Sequence, residues 1–145
     1  MVDKMEPRGF YTCKTSLDIL RREREGSVPE GFAKSFALLE WTEAAEKRDI
    51  LAGIVAEFPD FAPAWKELAS LLTDPEEKLA ALDQGLAGDP DSDTRGMLLL
   101  NKALLLHQQG RKDEGTVILR AVAEDPGSTL GNEVWAKRLL TSWAG

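Results

Sequence analysis

A proline inside a helix removes one hydrogen bond of the ladder and pushes its ring into the preceding turn, so it marks where a helix must stop. Three such stops, Pro59, Pro90 and Pro126, lie 31 and 36 residues apart in this chain, and each closes an amphipathic stretch. The interval leaves room for two short helices and a turn. No segment alternates apolar and polar residues in the manner of a half-buried strand. The punctuation therefore predicts an all-α chain built from successive helix pairs.

The individual elements follow from apolar spacing and end signals. Ser16 to Glu25 is predicted as a short helix with Leu17 and Leu20 on one side, Gly26 as its stop, and arginines and glutamates on a solvated face. Glu30 to Trp41 places Phe32, Phe36 and Leu39 at helical spacing, and Glu43 to Glu57 does the same with Ile50, Leu51, Ile54 and Val55. Ala62 to Leu72 carries Trp65, Leu68, Ala69 and Leu72 on one face. Asp74-Pro75-Glu76-Glu77 then combines an N-cap aspartate, proline at the first helical position and an acidic first turn, and opens a helix running to about Ala87. A polar loop, Asp91 to Thr94, is expected before a helix from Arg95 to Gln109, with Gly110 as its left-handed cap. Helices from Asp113 to Glu124 and from a Ser128 cap to about Trp143 complete the chain.

The spacing Trp65-x2-Leu68-Ala69-x2-Leu72 resembles the opening pattern W-x2-L-G-x2-Y of the tetratricopeptide family, whose period is 34 residues. It returns 34 residues later as Leu99-x2-Lys102-Ala103-x2-Leu106. The small residue at Ala69 and Ala103 matters because the two helices of a hairpin cross there. In the second helices Leu51, Leu82 and Leu119 fill the family's large apolar position, whereas Lys47, Lys78 and Gly115 stand where alanine is usual. The resemblance covers roughly residues 43 to 143. It implies stacked antiparallel helix hairpins, a TPR-like α-solenoid of about two to three repeats with a capping helix. Residues 28–145 would form this domain, preceded by an N-terminal segment, 1–27, that is a short helix or flexible and packs on the repeat groove.

Composition narrows the function classes. With 43% apolar and 30% charged residues in 145, the chain can bury a core unaided. Its net charge of -7 opposes a phosphate backbone, which argues against nucleic acid. No apolar run approaches a membrane span, and the charged first residues lack the stretch a secretion signal needs, so a cytoplasmic location is expected. Cys13 is the only cysteine and His107 the only histidine, which leaves no pattern for a zinc site, and no phosphate-cradling glycine motif occurs. A Cys13 nucleophile with His107 as its base lacks any recognisable motif. No catalytic residue, cofactor or metal is expected.

In the tetratricopeptide family the first helix of each pair lines a concave face, and the resemblance implies that Lys66, Ser70, Met97, Leu100, Asn101, Leu104 and His107 line it here. The reading is a scaffold that binds a partner protein or peptide. The helix from Arg95 to Gln109 is apolar nearly all round and must be covered on more than one side. The N-terminal segment, a second copy in a homodimer, or an apolar segment of another protein would serve. Self-association without a separate ligand is the alternative function, and an enzyme of unrecognised type a further one. Lys66, Asn101 and Lys137 also fall where relatives that clasp a peptide's terminal carboxylate carry lysine and asparagine, but Ser70 and Glu133 depart from that clamp. Trp65 is expected in the core and Trp143 exposed.

Overall fold

The computed structural model describes residues 17–144, and among them every regular element is helical. The helices are α1 (Leu17–Arg24), α2 (Phe32–Ala37), α3 (Ala44–Glu57), α4 (Ala62–Leu71), α5 (Pro75–Ala87), α6 (Ser92–Gln108), α7 (Lys112–Glu124) and α8 (Leu130–Ala144), with a 3-10 turn, Leu38–Trp41, after α2.

Several ends form as their residues dictate. Asp74 caps α5 by accepting the Glu77 N–H at 3.1 Å, with Pro75 at the first position. Gly110 closes α6 at φ 79°, which lets the Arg111 N–H reach the Leu106 carbonyl at 2.8 Å. Elsewhere local chemistry moves the boundary. The polar stretch Asp91 to Thr94 is not a loop: Asp91 accepts the Thr94 N–H at 2.9 Å and starts α6 at Ser92. Thr129 rather than Ser128 caps α8, accepting the Asn132 N–H at 3.2 Å, while the Ser128 hydroxyl donates back to the Val122 carbonyl at 2.7 Å. The expected single helix from Glu30 to Trp41 shortens to α2 and tightens into the 3-10 turn.

Consecutive helices pack against one another from α3 to α8, and α4, α6 and α8 also touch in turn. Three apolar cores result. The first joins Ile19, Val28, Phe36, Leu51, Phe61 and Leu68, with the rings of Phe32 and Phe36 set edge-on to Phe61 at 5.0 and 5.3 Å. The second holds Ala69, Ala81, Leu82, Leu98 and Leu105, and Trp65 and Leu72 bridge it to the first. The third holds Leu100, Ala103, Leu119, Val122 and Ala136. Each such leucine or phenylalanine contributes about 1.5–3 kcal/mol by leaving water.

Helix α6 belongs to two cores at once, with Leu98 and Leu105 in the second and Leu100 and Ala103 in the third. That is why it is apolar nearly all round. The chain's own α5, α7 and α8 supply the cover that its composition demands. Helix α1 places Ile19 in the first core beside Val28 and also touches α6. The predicted solvated face of α1 is also corrected. Arg21 donates to the Asp89 carbonyl at 2.8 Å, Arg22 donates to the carbonyls of Gly88 and Asp89, and Asp18 is fully buried. The part of the N-terminal segment before Leu17, with Cys13, lies outside the described residues.

Candidate functional site

A shallow groove of about 280 Å³ runs between α4 and α6, with Lys78 and Leu82 of α5 contributing to its wall. Lys66 and Ser70 are one turn apart on α4, so they share its edge. On α6 the intervals of three and four residues bring Asn101, Leu104 and Gln108 onto a single stripe facing them. Met97 continues that stripe one turn earlier and is half buried.

The cations at the groove are already engaged. The Glu67 carboxylate accepts Lys66 Nζ at 3.1 Å on one oxygen and lies 3.5 Å from Lys47 Nζ on the other. Lys78 Nζ donates to the Ala69 carbonyl at 3.1 Å near the end of α4, an oxygen that also accepts the Leu72 N–H at 3.3 Å. The Ser70 hydroxyl donates to the Glu67 carbonyl at 2.6 Å. By contrast, the side-chain amides of Asn101 and Gln108 have no hydrogen-bond partner among the described residues. Each presents donors and an acceptor to whatever enters. Leu104 lies between them as a half-buried apolar contact. The groove can thus hold a segment with apolar side chains and free main-chain or amide groups.

Of the residues predicted for this face, Lys66, Ser70, Asn101 and Leu104 come together in the groove. Two do not. Leu100 is 0% exposed inside the third core, where it faces Leu119 and Ala136, so it has no surface to offer. His107 is exposed but turned toward α8, its ring stacked on Trp143 at 4.2 Å and 16°. Trp143 is consequently half buried rather than exposed. Nor does Lys137 join Lys66 and Asn101: it pairs with Glu133 at 2.8 Å on α8.

Sequence reasoning missed Lys78, Leu82 and Gln108. Gln108 was within reach, because it follows Asn101 by seven residues, two full turns on one stripe. Lys78 was not, because its place in the groove depends on how α5 packs across α4.

Among the described residues no group of three or more His, Cys, Asp or Glu side chains is gathered to hold a metal ion, and no helix is long and apolar enough to cross a membrane. No family model, no curated protein and no solved structure matches this chain.

Proposed function

We propose that the chain is a protein-interaction module that receives a segment of a partner protein in the groove between α4 and α6. The observation that carries the reading is the stripe Asn101, Leu104 and Gln108, two unpartnered amides flanking an apolar side chain, opposite Lys66 and Ser70. Amides placed in this way satisfy main-chain groups of an incoming peptide, and the leucine supplies desolvation.

The reading includes a TPR-like architecture, in which α4–α5 and α6–α7 are successive repeats. Equivalent positions support it. Ala69 and Ala103 are both buried, and each has its carbonyl approached by the following helix at matching positions, by Lys78 Nζ at 3.1 Å in one pair and by Gly115 in the other. Trp65 lies against Gly85 of its own pair, with Leu98 of the next pair meeting the same glycine, and Leu99 packs on the core that unites α7 with Ala136 of α8.

The test is recovery of partners from the cell cytosol by purified protein, quantified for wild type, for Leu104→Glu and for Val117→Glu. Val117 is 66% exposed on α7 and does not line the groove. Partners retained by wild type and Val117→Glu but lost from a folded Leu104→Glu variant are expected; equal recovery by all three sinks the groove. A second reading, a subunit that associates with copies of itself, rests on Leu130, Val134 and Trp135, which are 39–41% exposed together on α8. Sedimentation showing a monomer at every concentration removes it.

A further inference from the structure

A second polar cluster lies away from the groove, where α1 meets the turn between α5 and α6. Asp18 is fully buried, although it is only the second residue of α1 as described. Its Oδ1 accepts the Asp91 N–H at 3.2 Å and Arg21 Nη2 at 2.8 Å. Asp91 Oδ1 in turn accepts the Thr94 N–H at 2.9 Å. Each carboxyl group therefore has one oxygen in use, and both Oδ2 atoms are buried with no hydrogen-bond partner among the described residues. Buried acceptors left in that state are strongly disfavoured, all the more when both groups carry charge.

The neighbouring arginines do not relieve them. Arg21 and Arg22 direct their Nη2 groups to Asp18 Oδ1 and to the carbonyls of Gly88 and Asp89, and Arg22 Nε stays 3.8 Å from Asp18 Oδ1. The Nε atoms of both arginines and the Thr94 hydroxyl are themselves buried without hydrogen-bond partners among the described residues. Other elements add little. Helix α4 meets α1 through the apolar Ala64 and Leu68 in the core around Ile19, and α2 meets it where the Ala33 N–H donates to Glu23 at 2.7 Å. On the α6 side Asp93 adds negative charge near Asp91.

We propose that Asp18 and Asp91 hold one proton between them, and that this proton clasps α1 onto the turn before α6, so that α1 loosens as rising pH removes it to solvent. One hydrogen on either Oδ2 turns that buried oxygen into a donor and removes one of two buried negative charges. Burial, followed by the charge of Asp91, pushes Asp18 above the ordinary aspartate range against the pull of Arg21 and Arg22. Burial does the same to Asp91 against the hydrogen bond from the Thr94 N–H. The sign follows. A carboxyl whose folded pKa is raised binds its proton more tightly in the folded state, so its contribution is complete below the unfolded value and disappears as pH climbs through the folded one. Release of α1 withdraws Ile19 from the first core and frees the Gly88 and Asp89 carbonyls.

Amide hydrogen exchange of α1 in the full chain, corrected for the intrinsic rate, tests the clasp between about pH 4 and about pH 8. Protection in wild type is expected to fall by about threefold or more as pH rises. Asp18→Asn places an amide donor where the proton was and should hold protection high and level across the range. Asp91→Asn should do the same while keeping the α6 cap, and serves if the first variant does not fold. Protection in wild type that is level or climbs with pH overturns the proposal, as does an asparagine variant less protected than wild type at the alkaline end. Either result means that both carboxylates are ionised.

Discussion

Adding one methyl group at Gly115 should drive α6 and α7 apart. A Cβ at that position would lie 2.8 Å from the Ala103 carbonyl oxygen and 3.1 Å from Cζ3 of Trp143. Comfortable carbon contacts begin at about 3.5 Å, so the methyl intrudes by roughly half an ångström. The oxygen belongs to the backbone of α6 and cannot rotate away, which leaves a shift of the whole helix as the response. Overpacking of this kind costs about 1–3 kcal/mol. Working against it, alanine is favoured over glycine inside a helix by about 1 kcal/mol. With a backbone atom in the way the packing cost offsets or exceeds that gain, and Gly115→Ala should lose up to about 2 kcal/mol. The control is Gly53→Ala on α3, where nothing lies within 4 Å of the new methyl. There only the propensity acts, and a gain of about 1 kcal/mol is expected. Urea unfolding followed by far-ultraviolet circular dichroism measures both, and the difference between the two variants isolates the crossing contact. A Gly115→Ala protein as stable as Gly53→Ala would refute the close approach.

Two neighbouring leucines of α6 should behave differently. Leu100→Ala empties a fully buried site and should cost about 2–5 kcal/mol, whereas Leu104→Ala, at the half-buried groove, should cost under about 1 kcal/mol while weakening partner binding; denaturant midpoints compare them. Asp74→Ala removes the oxygen that accepts the Glu77 N–H and should cost about 1 kcal/mol, and Asp74→Asn should restore most of it in the same assay.

How far the sequence reached varies by feature. The strongest end signals carried through, because Asp74 with Pro75 and Gly110 act within a few residues of chain. Asp91 carries the same kind of signal, but it was read as part of a loop because polar Ser92, Asp93 and Thr94 follow it before any apolar periodicity begins. In the groove, Asn101 and Leu104 were implied by the family resemblance, yet Leu100 was implied with them. An apolar residue on a helix covered from several sides gives no indication of which neighbour it meets. The role of Gly115 was likewise hidden. As a departure from the alanine usual in the resembling family it looked like a loss of fit, whereas it is the residue that lets α7 approach the Ala103 carbonyl.

By itself the sequence determined that this chain is helical, roughly where each helix stops, and which residues share a face, since those properties follow from backbone geometry and side-chain period. Only the tertiary structure decided that α1 joins the first core through Ile19, that Arg21 and Arg22 hold the turn after α5, and that two aspartates 73 residues apart meet in a buried site. These are choices among partners distant in the chain, and they are settled by shape and by the need of buried polar groups for one another, neither of which has a period to read.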